Sequence, residues 1–152
     1  DDTTLSNHVK TIEETILKEC SFSLKDKSIH LDFIKKLTSR KSKQSRLKIF
    51  TTNYDRAFEE AGAEGSYVII DGFSFSLPRV FSGRNFDLDI VSRNNSRVKE
   101  EDNFIQKVFH LYKLHGSVDW CKEENIIFQK DIDSLDVQYF MQPCRIWKHC
   151  IV

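Results

Sequence analysis

Two short segments hold the residue types that do chemistry. Thr51-Thr52-Asn53-Tyr54-Asp55 sets an amide and a carboxylate two residues apart, and Leu114-His115-Gly116-Ser117 supplies an imidazole. Each follows a run of strand-forming residues, Leu47 to Thr51 in the first case and Val108 to Leu114 in the second. In open parallel sheets, ligands bind in the crevice beyond the carboxyl ends of the strands. Asn53 and His115 are 62 positions apart, so they meet only if those two strands are brought together. There an amide orients a polar ligand, a carboxylate accepts hydrogen bonds, and a histidine titrates close enough to neutral pH to act as a base. Each residue also has a plainer reading. Asn and Asp favour strand-to-helix turns, and Asp55 suits the cap of a following helix. His115 reads equally as a hydrogen-bonded histidine at a strand end, although Gly116 beside it favours close backbone approach, as at a site.

The elements that must position these segments are legible in part. Leu5, Val9, Ile12, Ile16 and Leu17 recur at helical spacing and predict an amphipathic helix from Leu5 to Cys20. A second helix is expected from Ser28 to Leu37, with Ser28 as its N-cap and Ile29, Phe33, Ile34 and Leu37 as its buried stripe. Thr38 to Arg46, rich in Ser and Lys, reads as an exposed loop. After the strand at Leu47 to Thr51, a short helix is expected from Arg56 to Ala61, closed by Gly62. Tyr67 to Ile70 is the next strand, stopped by Asp71-Gly72. Strand, helix, strand in about 25 residues is a βαβ unit of a parallel sheet. Phe73 to Asn95 has no periodicity, but Phe73, Phe75, Phe81 and Phe86 suggest a loop packed down over something. A short helix at Glu100 to Lys107, the strand at Val108 to Leu114 and a further strand at Asn125 to Gln129 complete the expectation. The fold class is α/β: a Rossmann-like parallel sheet with flanking helices, incomplete. Residues 1–152 read as a single partial domain, 1–46 a helical and basic-loop part and 47–120 the motif-bearing core.

Composition narrows the class. With 152 residues, 39% hydrophobic and 30% charged, the chain suits one globular domain rather than a disordered one. Lys plus Arg equals Asp plus Glu at 23 each, so no net charge draws it to nucleic acid or a membrane surface. Lys35 to Lys48 nevertheless carries seven Lys or Arg and no acid. That stretch reads as a solvated loop or a binding surface, and nucleic acid binding stays open. No leader-like apolar run opens the chain and no segment is long enough to span a membrane, so a cytoplasmic protein with reduced thiols is expected. Cys144, His149 and Cys150 fit no common zinc spacing, and no metal is expected. His8, His30 and His110 read as structural. Without an initiator methionine, and ending at Cys150-Ile151-Val152, the chain reads as a piece of something larger.

The pair Thr51-Thr52-Asn53-Tyr54-Asp55 and Leu114-His115-Gly116-Ser117 resembles the two core motifs of sirtuins, the NAD-dependent deacylases. It is closer still to the bacterial sirtuin-like NAD hydrolases of antiphage defence. Val68 to Phe73 and the aromatic Trp120 that follows the second motif share that likeness, which spans about Leu47 to Trp120. The resemblance implies that NAD is the substrate and that Thr51, Thr52, Asn53, Asp55, Gly116 and Ser117 contact it. It implies that Asp55 clasps the nicotinamide carboxamide, that Asn53 positions the ribose and attacking water, and that His115 is the general base. Cleavage of the nicotinamide–ribose bond passes through an oxocarbenium-like state, and nicotinamide leaves neutral, so no acid on the leaving group is required. Two departures matter. The chain has five glycines and no Gly-x-Gly, so the resemblance places the phosphate-binding loop upstream of residue 1 and implies that this stretch alone is inactive. The two Cys-x-x-Cys pairs of deacylating sirtuins are missing, which favours a hydrolase over a deacylase. A module that binds NAD or ADP-ribose without turnover is the remaining alternative. A homo-oligomer or a partner defence subunit is the expected assembly.

Overall fold

The computed structural model describes residues 2–39, 45–91 and 105–130. Three strands form a parallel sheet: β1 (Leu47–Thr51), β2 (Val68–Ile70) and β3 (Val108–Lys113), in the order β1-β3-β2. Helix α3 (Ala57–Glu64) carries the chain from β1 towards β2, and β3 then inserts between them. The expected parallel α/β arrangement is therefore present. Preceding it are α1 (Asp2–Cys20) and α2 (Ser28–Thr38), and after it comes an antiparallel hairpin of β4 (Trp120–Glu123) and β5 (Ile126–Gln129).

Alternation along the strands decides which face is the core. Leu47 and Ile49 of β1 share a face with Phe109 and Leu111 of β3, and all four are buried against Ile34 of α2 and Ala61 of α3. Leu31, Leu37, Phe58, Tyr67 and Ile69 pack around them. Helix α2 is rotated from its expected orientation. Ile34 is fully buried, whereas Ile29 is 75% and Phe33 47% exposed. The stripe facing the sheet is Leu31, Ile34 and Leu37, and Thr38 at its end meets the Tyr67 hydroxyl at 3.0 Å. Ser28 does not cap the helix with its side chain; its amide donates instead to Asp26 Oδ1 at 2.8 Å.

Helix α1 forms as expected, but its stripe is not buried: Leu5 is 64% and Ile12 59% exposed. Periodicity makes a helix amphipathic; it does not supply the surface that covers it. Gly62 does not close α3, which runs on to Glu64 and ends at Gly65. Gly62 is instead buried inside the helix, where a Cβ would lie 2.7 Å from the Ile69 side chain. The glycine is thus a close-packing residue of α3 on β2.

The aromatic stretch after β2 packs down as expected. Phe73, Phe81 and Trp120 meet with ring centroids 5.1–5.4 Å apart, forming a second small core over the hairpin. Asp71 holds the Arg79 guanidinium through both carboxylate oxygens, at 2.9 and 3.0 Å. Gly72 adopts φ +87 with Phe81 so close that a Cβ would fall 2.4 Å from its ring, which accounts for the glycine there. Phe75 departs from the expectation at 61% exposed. Phe86 stacks on Tyr112 of β3 at 4.1 Å, and Tyr112 on Phe50 of β1 at 4.6 Å, on the sheet face away from the helices. Of the helix expected at 100–107, the described residues 105–107 are irregular. Residues 40–44, in the basic stretch, and Cys144, His149 and Cys150 lie outside the described residues.

The two faces of α2 differ sharply in what they bury. Ile34→Ala should destabilise the fold by about 3 kcal/mol, since it empties a filled site in the core. Ile29→Ala should cost less than about 0.5 kcal/mol, and urea denaturation of both variants checks the contrast. His110, buried in β3, should make stability pH-dependent. Burial pushes its imidazole below the ordinary value, helped by the Lys48 ammonium, with Asp89 opposing and Arg46 adding to the depression. The unfolded chain takes up a proton near pH 6.5 that the folded one resists. Stability is thus retained above that pH and lost as acidity increases below it. Denaturation midpoints at about pH 7.5 and about pH 5.5 should differ less in His110→Leu than in the wild type.

Candidate active site

Hydrogen-bond register sets the geometry of the site. Thr51 pairs with Lys113 at the ends of β1 and β3, so Asn53 and His115 each lie two residues beyond the same rung of the ladder. The Leu114 amide continues the pairing onto the Thr51 carbonyl at 2.8 Å, and the Val118 amide reaches the Tyr54 carbonyl at 3.0 Å. The two motif segments are thereby joined backbone to backbone. The Tyr54 and His115 rings face each other with centroids 6.2 Å apart. Asn53 and His115 are exposed. The Asn53 amide nitrogen of the backbone donates to Thr51 Oγ1 at 3.1 Å, a local bond that turns the chain. Its side chain and that of His115 make no hydrogen bond among the described residues, and both are exposed.

Asp55 has two tasks in view. Its Oδ1 accepts the Ala57 amide at 2.9 Å and so holds the first turn of α3, the plainer reading of this residue. The second carboxylate oxygen has no such commitment. Thr52 is exposed, while Gly116 is buried with φ +86, a left-handed turn that suits glycine where the chain doubles back from β3. Ser117 is buried and its hydroxyl is engaged inside the protein: it donates to the Tyr54 carbonyl at 3.2 Å and accepts from Lys113 Nζ at 2.8 Å. Trp120 belongs to the aromatic core described above.

Sequence reasoning missed Lys113. It is 5% exposed, at the end of a buried strand, and its ammonium forms an ion pair with Glu59 Oε1 of α3 at 2.9 Å. The same nitrogen donates to the Asp55 carbonyl and to Ser117. Burial raises the Glu59 carboxyl above the ordinary carboxylate range, and the Lys113 charge opposes that shift. The signal was present in the alternation, since Phe109, Leu111 and Lys113 fall on one face and that face is the core. A lysine there must find a partner inside. Asp119 was missed too, in the turn just before β4 where no alternation marks burial. It is 1% exposed, and Oδ2 accepts from Gln129 Nε2 of the hairpin at 2.6 Å. Cys20 and Cys121 are free thiols, both raised by burial, Cys121 to about 11. Among the described residues no three His, Cys, Asp or Glu side chains gather as a metal-ligand group, and no helix is long and apolar enough to cross a membrane.

An amide, a carboxylate and an imidazole thus stand on two segments joined backbone to backbone at the carboxyl ends of adjacent parallel strands, where α/β domains bind their ligands. The pattern of the SIR2-like domain matches residues 47–146, which is 100 of the 152 residues (146 − 47 + 1), and the chain belongs to that family. The match begins at the first residue of β1 and takes in both motif segments. No curated protein matches the chain. SIR2-like domains are generally NAD-dependent enzymes that use NAD as a substrate, which gives the function in its coarse form. The residues present suit such a ligand: the unengaged Asn53 and His115 side chains and the free Asp55 oxygen offer donors and acceptors for an amide and a ribose.

The cap and the chemistry of Asp55 are separable. Asp55→Asn keeps an oxygen for the Ala57 amide and should leave stability within about 0.5 kcal/mol of wild type. Asp55→Ala should lose about 1 kcal/mol by thermal or urea denaturation.

Proposed function

We propose that this domain is an NAD hydrolase, cleaving the nicotinamide–ribose bond to give nicotinamide and ADP-ribose, and that it serves antiphage defence by depleting NAD. The observation that carries the hydrolase reading is the shared height of Asn53 and His115 on neighbouring parallel strands, both exposed and both without a hydrogen-bonding partner among the described residues. The defence role rests on the likeness of the two motifs to sirtuin-like defence proteins.

In this reading the residues divide the work by chemical type. The free oxygen of Asp55 accepts the amide hydrogens of the nicotinamide carboxamide, which discriminates the amide from an acid at that position. Asn53 offers both a donor and an acceptor, and orients a ribose hydroxyl and a water on the face to be attacked. His115 takes the proton from that hydroxyl or water as the new bond forms. The Tyr54 ring lies beside the imidazole, with centroids 6.2 Å apart. Nothing in the scheme calls for an acid on the departing side, since nicotinamide leaves as a neutral molecule.

Nicotinamide release from NAD by the full-length protein tests the reading. Wild type should turn over, and His115→Ala should be slower by a factor of about 100 or more. Asn53→Ala should fall comparably, while both variants keep the wild-type thermal midpoint because neither side chain is buried. Binding of NAD by wild type without any release would replace the hydrolase with a non-catalytic NAD-binding module. Release unaffected by either substitution would remove the site assignment.

A further inference from the structure

The site described above contains a buried charge that touches none of its three candidate side chains. Lys113 has three N–H bonds, and each has a protein acceptor on a different segment: Glu59 Oε1 on α3 at 2.9 Å, the Asp55 carbonyl in the first motif, and Ser117 Oγ in the second at 2.8 Å. Ser117 passes the connection on to the Tyr54 carbonyl at 3.2 Å, and that carbonyl also accepts the Val118 amide at 3.0 Å. The acceptors from the first motif are main-chain oxygens, that of Asp55 met by the ammonium directly and that of Tyr54 through Ser117, so the network grips the backbone that displays Asn53 and Asp55. On its other side it grips the segment that displays His115.

We infer that Lys113 is the positioning residue of this site, a cationic clamp that holds the two motif segments at a fixed separation while Glu59 neutralises it. A buried Lys113–Glu59 pair is costly, and two apolar side chains of similar volume would pack in its place at equal or better stability. What an apolar chain lacks is a set of directed donors. The geometry spends that cost where two loops from distant parts of the chain must keep a constant relation. Displacing such groups by even about 1 Å costs turnover on the order of 100-fold.

The activity arm of the test rests on the NAD-cleavage reading; a second arm does not. In the full-length protein, Lys113→Met should lower kcat about 100-fold and lower the melting temperature, because it leaves the Glu59 carboxylate without its partner. The double variant Lys113→Met/Glu59→Leu removes that stranded charge and should regain the melting temperature while kcat stays low. Amide hydrogen exchange is measured on the same samples. The Val118 amide should exchange faster in both variants, while amides in the body of β3 keep their wild-type protection in the double variant. Turnover that returns together with stability in the double variant would reduce Lys113 to an ordinary buried ion-pair member and overturn the inference. Unchanged Val118 protection in both variants would overturn it as well. If the wild type releases no nicotinamide under any condition, the hydrolase reading fails, and the exchange result alone decides the clamp.

Discussion

An ammonium group enclosed by protein has no water to solvate it, so every one of its N–H bonds must be met by an acceptor the chain supplies. Lys113 imposes that demand at the end of the central strand, and much of the local structure answers it. Helix α3 brings Glu59 over the strand end, and the turn after β1 points the Asp55 carbonyl inward. The segment after β3 doubles back at Gly116 so that Ser117 can reach the same point. Low local polarity strengthens each of these bonds and penalises any arrangement that leaves one unmade. A network of this kind specifies one geometry more sharply than apolar packing does.

The sheet and the network act at different levels. Parallel pairing of β1 with β3 sets the height of the two motifs, and the apolar face of Ile49, Phe109 and Leu111 anchors that pairing to α2 and α3. The network then fixes what the sheet cannot, namely the path of the chain once it has left the ladder. Exposed Asn53 and His115 keep their side-chain hydrogen-bonding capacity among the described residues, whereas buried Lys113 and Ser117 spend theirs on Glu59, on each other and on the Tyr54 and Asp55 carbonyls. Asp55 sits between the two groups, with one oxygen serving the helix and the other without a hydrogen bond among the described residues.

Much of this was legible in the sequence, and the gaps have physical causes. The strands β1 and β3 stood out because β-branched and aromatic residues crowd Leu47 to Thr51 and Val108 to Lys113, and the motif residues stood out because they follow directly. β4 was missed because Trp120 to Glu123 has two buried residues followed by two exposed ones, with no alternation to read. The helical period located α2, but only packing revealed that Leu31 and Ile34, rather than Ile29 and Phe33, face the sheet. For α1 the period located the helix, but period alone does not tell what covers its stripe, of which Leu5 and Ile12 stand exposed. Buried Lys113 escaped notice because a charged residue in a sequence reads as surface until the pleat assigns it a side, and buried Asp119 because it sits in a turn that only tertiary packing covers.

The ladder that joins β1 to β3 has a consequence for how such a domain can change over evolutionary time. Between Thr51 and Lys113 the chain makes a long excursion through α3, β2 and the aromatic stretch, yet the rung that closes it is set by main-chain pairing. Closing a longer excursion costs only about 0.6 kcal/mol per doubling of its length. A change of length at the exposed bend near Phe75 and Leu77 would therefore leave the spacing of the two motif segments, set by the ladder, as it is. The spacing of the two motif segments and the shape of the exposed bend are thus set by separate parts of the chain, so one can change while the other stands still.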